Sequence, residues 1–425
     1  MQQTYDNQKI AELFFAPVGP LLEACAHQRP CPELSDWQWV RMGIERVIKD
    51  ERSGRSFLQD WAMGEGRGTP VQVSHFFQSL KSPRRLRLVE ELSRTLAAAM
   101  PSHPCSLVPQ IEELAKIDLY AGDGHYHAAS AHDQPIKGKR RAVGHFYTLN
   151  LRSHGLTHLT ACDLQGGRKK AEHDMHALKR LSIAQLRQGA AKGRQVLYIW
   201  DRAGIDLRQW HRWKQAGGLY FLSRAKENLK ITRYGGIDFD REDPLNAGVL
   251  SDEHAATETA GVMCRYIRYR CPQSGTAYAF ITNQMKIRPG VLAWLYMRRW
   301  DIEKTYDTFK NKLSEQKAWG ASGTAKTMQA QFLCLGHNLM VLLENITQKR
   351  FGVENSKEIT RAHKRIKQIR ETCEAKGQER SPLYENPRKR SQLTLKFIRW
   401  LRYHLRLNSL LSEALASLRR IYALF

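Results

Sequence analysis

The chain has 425 residues, 42% of them hydrophobic and 26% charged, with 10 Trp, 15 Tyr and 14 Phe. That composition excludes a wholly disordered chain and supplies material for a sizeable core, while the length allows about two to four domains. Lys and Arg number 67 against 42 Asp and Glu, and the net charge of +25 draws polyanions, so DNA, RNA and an anionic membrane surface are the partner classes to weigh.

A membrane is the weakest of the three. A spanning helix needs about 20 continuously apolar residues, and the longest candidate, Phe332 to Leu343, carries Gly336, His337 and Asn338 inside it. The start of the chain, with Asp6 and Glu12, reads as no signal peptide. The 8 Cys are scattered and form no C-x-x-C, so reduced thiols are expected rather than a disulfide framework or a zinc site.

In chain order, residues 1–110 read as helices with 13 basic and 12 acidic residues, so almost all of the excess charge lies downstream. Ser82-Pro83 caps a helix from Arg84 to Met100, and Val73 to Leu80 is a candidate partner helix. Lys81, Arg84, Arg85 and Arg87 near the turn suit either a DNA-binding helix pair or a plain bundle. From residue 111 strands and helices interleave, which argues for an α/β layer. Strands are expected at Ile117 to Asp123, in His145 to Cys162 around a turn at Ser153-His154-Gly155, at Gln195 to Asp201, and at Leu219 to Leu222. Helices are expected over Ala171 to Leu186 and Asp206 to Trp213. Residues 227–287 read as short strands (Arg265 to Tyr269, Thr276 to Thr282) without a clear helix; helix returns over Gly290 to Leu313 and Thr327 to Asn345. The last segment, 351–425, reads as helical, with 17 basic and 7 acidic residues. Its run Arg388-Lys389-Arg390 favours DNA contact, and Leu393 to Phe425 has the spacing of helices that pack or dimerise.

The chemistry concentrates in the helix Gly290 to Leu313. Tyr296, Arg299, Glu303 and Lys310 fall at about 0°, −60°, −20° and −40° around an ideal helix, one narrow stripe. Such a stripe alone is equally a solvated face. Two aspartates, Asp123 and Asp201, close apolar strands, and functional groups of open α/β sheets gather at strand carboxyl ends. Three carboxylates without a histidine cluster suit Mg²⁺ or Mn²⁺ better than zinc. Without a metal they would repel and raise one another's pKa. Asp118 competes with Asp123 for the first position, but its parity puts it on the other strand face. His125 and His127 offer a weaker metal reading because neither pairs with a Cys motif.

The pattern Y-x2-R-x3-E-x6-K, with Asp123-Gly124, Asp201-Arg202-x-Gly204 and Phe221-x-x-Arg224-x-Lys226 ahead of it in order, resembles the insertion-sequence-four (YREK) family of bacterial DDE transposases. The resemblance covers residues 117–313. It implies an α/β fold: a ribonuclease H-like core (111–226 and 288–350) interrupted by a β-rich insertion (227–287). A helical N-terminal DNA-binding domain (1–110) and a basic helical C-terminal region (351–425) for dimerisation or DNA contact would flank it. It further implies a cytoplasmic, nucleoid-associated enzyme that cuts transposon ends and joins the 3′-hydroxyl to target DNA. Asp123, Asp201 and Glu303 would hold two Mg²⁺ or Mn²⁺ ions, with Asp123 bridging. Tyr296, Arg299 and Lys310 would hold DNA phosphates beside the scissile bond, Arg202 is a further DNA-binding candidate, Arg224, Lys226 and Lys230 suit either backbone phosphate or a solvated edge, and a homodimer would bind both terminal inverted repeats. Some relatives form a DNA hairpin with help from a tryptophan in the insertion; residues 227–287 have none, and Tyr278 or Phe280 would be the substitutes for stacking a base. Another nuclease of the same core and an inactive DNA-binding remnant are the alternatives. The YREK stripe argues against the first and the intact carboxylates against the second.

Overall fold

The computed structural model describes residues 7–49, 53–64, 71–130, 132–133, 135, 143–162, 174–258, 261–313, 318–375, 377, 380–386 and 394–424. The run Arg388-Lys389-Arg390 lies outside them.

The chain opens with six helices: α1 Ile10–Phe15, α2 Val18–Glu23, α3 Asp36–Ile48, α4 Gly54–Met63, α5 Val73–Ser79 and α6 Pro83–Ala99. Their starts are locally encoded. Ser35 and Gln38 form a reciprocal capping box on α3, and Ser82 caps α6 with Pro83 in its first turn. The basic residues expected at the α5–α6 turn divide into two kinds. Arg84 grips buried Asp36 through both terminal nitrogens (2.8 and 2.9 Å) and also donates to the His27 carbonyl. Arg85 is buried, donates to the Leu34 carbonyl and lies 5.3 Å over the Trp39 ring. These two arginines therefore fasten α6 to α3, the bundle alternative of the two open for them; Lys81 and Arg87 stay exposed.

The middle of the chain builds a sheet in the order β3-β2-β1-β4-β5-β9-β8-β7-β6. Its first half comprises β1 Ile117–His127, β2 Val143–Asn150, β3 Leu156–Ala161, β4 Gln195–Ile199 and β5 Leu219–Arg224, with β1, β4 and β5 parallel and β2 and β3 antiparallel on one edge. Between them come α7 Asp174–Lys179, α8 Ile183–Arg187 and α9 Leu207–Gly217. The single helix expected over Ala171 to Leu186 is thus two short ones, because Ser182 caps a new start and forms a capping box with Gln185. The second half is β6 Ile231–Gly236, β7 Val249–Thr257, β8 Met263–Arg270 and β9 Ala277–Thr282. These strands continue the core sheet, since β9 pairs with β5 through Leu222↔Thr282. The buried pair Asp252–Arg265 ties β7 to β8, and Arg265 also donates to the Ile287 carbonyl, anchoring the return to helix.

Alternation sorts the strands' side chains onto two faces. Leu197 and Ile199 of β4 join the core beneath the N-terminal helices, while Val196 and Tyr198 join Phe221, Trp210 and Trp213 on the face covered by α7–α9. The helices that follow are α10 Pro289–Arg298, α11 Trp300–Lys312, α12 Gly323–Lys349, α13 Ser356–Ala375, α14 Leu395–Arg406 and α15 Leu411–Leu424. Among the described residues no helix is long and apolar enough to cross a membrane. The apolar run Phe332 to Leu343 lies within α12, a mostly buried helix packed between α3, α6 and β3. Its polar residues are used inside: Asn338 accepts from Leu156 N (2.7 Å) and donates to the Leu156 carbonyl (3.0 Å), and the His337 ring meets the His154 carbonyl. The architecture is a mixed α/β fold with helices on both faces of a mixed nine-stranded sheet, consistent with a ribonuclease H-like core.

Candidate active site

Asp123 does not end its strand, as its sequence suggested. β1 pairs in parallel with β4 only as far as Ala121↔Ile199, then continues against β2 through Asp123↔Tyr147 to His127. The carboxylate therefore stands just past the parallel ladder. Its Oδ1 accepts from the Gly124 N–H (2.8 Å). Asp118, five residues earlier, is held by Arg194 at 2.7 Å and belongs to an ion pair near the start of β1.

Asp201 follows β4 after Trp200. Its Oδ1 accepts from Ala203 N (2.9 Å), capping the short 3-10 turn Arg202–Gly204, and its carbonyl accepts from Ser223 Oγ (2.9 Å) of β5. Trp200 links the two aspartates. The ring is fully buried, and a Cβ at Gly122 would stand 1.8 Å from it, while one at Gly204 would stand 2.3 Å away. Side chains are excluded at both glycines, so the indole seats directly on the backbone beside each aspartate.

The helix expected to carry Tyr296, Arg299, Glu303 and Lys310 on one stripe is broken at Arg299. Bonds of the i→i+3 kind, Arg299 N to Tyr296 O (3.1 Å) and Ile302 N to Arg299 O (3.2 Å), mark the junction of α10 and α11. The break turns Arg299 inward, to 7% exposure, and leaves its neighbour Trp300 55% exposed. Arg299 bridges two carboxylates: Nη1 lies 3.2 Å from Asp123 Oδ2 and Nη2 lies 2.7 Å from Glu303 Oε1. Tyr306 of α11 donates to the Asp123 carbonyl (2.8 Å), and the His125 ring stacks on Tyr306 at 4.5 Å. Burial makes the Tyr296 hydroxyl a weaker acid than usual; its ring packs 5.0 Å from Phe280.

These contacts bring Asp123 and Glu303 together on Arg299, with the Tyr296 ring 5.9 Å from its guanidinium; the charge of Asp201 is felt at Asp123 and that of Arg224 at Tyr296. Arg224, at the end of β5, lies 5.3 Å over the Tyr278 ring, and Tyr278 in turn stacks on Phe280, so both aromatic candidates for base stacking pack within the sheet's side chains. Arg202 and Lys226 sit half-buried on the segments after β4 and β5, and Lys310 is exposed farther along α11, where its charge reaches His127. Among the described residues no hydrogen bond or ion pair links Arg202, Lys226 or Lys310 to the three carboxylates. His127 bonds Tyr147 (2.6 Å) and His145 bonds His158 (3.0 Å); burial holds the rings of His127 and His145 neutral, so these are interior histidines.

The Asp123 carboxyl is pushed up to about 7. Burial is the largest cause; Asp201 and Glu303 add to it, while Arg299 and the Gly124 N–H oppose it. The unfolded carboxyl titrates near 4. Between those values the folded protein holds the extra proton, so this group's contribution to stability falls as pH rises through the window and the full penalty persists above it. Asp123→Asn should therefore raise the stability of the metal-free protein at pH 8 by about 2 kcal/mol and change it little at pH 4. Thermal melts at the two pH values check this; an equal effect at both would contradict it.

The donor set is three carboxylates, hard oxygen of the kind Mg²⁺ and Mn²⁺ take. Among the described residues, however, no three His, Cys, Asp or Glu side chains are gathered closely enough to hold one ion. The chemistry fits a divalent ion, and the spacing is that of a site with a guanidinium inside it.

No curated protein matches the chain. Residues 145–339, which contain Asp201 and Glu303 and begin beyond Asp123, match the family model of the transposase DDE domain.

Proposed function

We propose that the protein is a DNA transposase of the insertion-sequence-four (YREK) type. It would cut the ends of a mobile element and join the freed 3′-hydroxyl to target DNA, by a cut-and-paste route. The observation that carries this reading is that Asp123 of β1 and Glu303 of α11 share Arg299, in a chain whose residues 145–339 match the transposase DDE domain. Asp123, Asp201 and Glu303 are the residues that would hold Mg²⁺ or Mn²⁺, and such ions would supply nucleophile activation and charge stabilisation for phosphoryl transfer. The chain's own cations do the positioning. Arg299, Arg224 and Arg202 offer planar donors to phosphate, and Lys226 and Lys310 act as point charges. The Tyr296 hydroxyl, kept protonated by burial, would be a donor to the same phosphates. Two ends must be held together, so a homodimer on DNA is the working assembly, associated with the nucleoid.

Strand transfer separates this reading from a plain nuclease. Labelled fragments of the DNA that flanks the gene, incubated with protein, Mg²⁺ and a plasmid, should become covalently joined to the plasmid through their 3′ ends. Hydrolysis without joining would contradict it.

The C-terminal region adds a second DNA surface in this reading. Arg361, Lys364 and Arg365 are exposed on α13, and Ile366 and Cys373 on its other side are buried. Changing the three basic residues together to Gln should weaken duplex binding and reduce the slope of log K against log salt by about 2–3. A salt titration checks this, and an unchanged slope would contradict it.

A further inference from the structure

Arg299 is spent on carboxylates rather than displayed for DNA. Both terminal nitrogens are engaged, on Asp123 Oδ2 (3.2 Å) and Glu303 Oε1 (2.7 Å), and its Nε is buried without an acceptor. With Oδ1 of Asp123 taken by Gly124 N–H, each Asp123 oxygen already has a partner. The guanidinium stands between the two groups, in keeping with the lack of any three-ligand cluster among the described residues. A half-buried set of carboxylates without a cation would be costly, so a fixed positive charge stabilises the empty arrangement.

We propose that Arg299 is a resident counter-ion: it holds Asp123 and Glu303 in the metal-free protein, competes with a divalent cation for them, and must leave them before the ion binds. This rests on the reading of the site as a divalent-metal site. Its consequence is that ion binding favours the conformation with Arg299 released. The freed guanidinium is then available to a DNA phosphate at the same place, so ion and DNA binding are positively and reciprocally coupled.

Mn²⁺ binding to the full chain without DNA, followed by loss of the free-ion paramagnetic resonance signal, tests it without reference to activity. Arg299→Gln should bind Mn²⁺ about 10-fold more tightly than the wild type, since the competing charge is gone. Arg299→Lys keeps one charge but not the two-pronged fork, and should bind a few-fold more tightly. Adding Asp123→Asn to Arg299→Gln should remove the gain. Circular dichroism melts confirm that each variant folds, and the lysine variant keeps the test decisive if the glutamine variant does not. Wild-type or weaker affinity in both folded variants, with Mn²⁺ binding still dependent on Asp123, would overturn the counter-ion role and leave the metal site standing. Absence of any Asp123-dependent Mn²⁺ binding, in wild type and variants alike, would overturn both.

Discussion

Glu303→Gln should lower Mg²⁺-dependent DNA strand cleavage by on the order of 10³-fold or more while sparing duplex binding and folding. The substitution is isosteric, on the first turn of α11, at a side chain 31% exposed, so little packing depends on its charge. What it removes is one of three anionic oxygen donors and one of the two carboxylates on Arg299. The loss of a charged ligand costs several kcal/mol of transition-state stabilisation where the ion carries the reaction. Duplex binding rests on cations elsewhere on the surface and should stay within about twofold. Cleavage by the variant at the wild-type rate would remove Glu303 from the site.

The second large effect is expected at Trp200, which the sequence reading passed over as one more apolar residue of a strand. Trp200→Ala should cost about 3–5 kcal/mol, because it empties the space under a fully buried indole. Cleavage should fall further than the loss of folded protein explains. The ring fills the gap between Gly122 and Gly204, so removing it frees the backbone next to both Asp123 and Asp201. Trp200→Phe should recover only part of both losses. It keeps a ring and a Cβ against Gly204, but it is smaller than the indole, whose six-membered edge is what lies against Gly122. Denaturant melts and cleavage rates measured on the same preparations separate the two effects. An alanine variant as active per folded molecule as wild type would show that the indole sets no spacing.

The candidate site residues stand out in sequence because their chemistry is rare in those places: an aspartate at the end of an apolar run, twice, and an acidic residue on a helix with basic neighbours. The mixed α/β order was legible from apolar runs such as Gln195 to Ile199 and from the helix cap at Ser82. Other features were hidden for physical reasons. Asp123 reads as a strand end because the apolar run stops there, while the antiparallel partner that carries β1 onward, β2, starts only at Val143. The break at Arg299 leaves no Pro or Gly in the sequence; it shows only in the backbone bonds and in where Arg299 points. β6 escaped notice because it is largely exposed and ends in two glycines, and β7 because Asp252, Glu253 and His254 interrupt its apolar pattern. The Asp252 charge is tolerated only because Arg265 faces it from the next strand. Arg84 and Arg85 look like DNA contacts in sequence for the same reason: their partner, Asp36, is nearly fifty residues upstream.

The most direct test is to incubate the protein with a DNA fragment that carries its gene and both flanks, with Mg²⁺ or with a chelator, and to map every break at nucleotide resolution. Discrete breaks at the two boundaries of an inverted repeat, ending in 3′-hydroxyls and absent with the chelator, are the expected result. Breaks that are indifferent to the metal, or intact DNA in the presence of Mg²⁺, would contradict the assignment of Asp123, Asp201 and Glu303 to a metal-dependent transposase site.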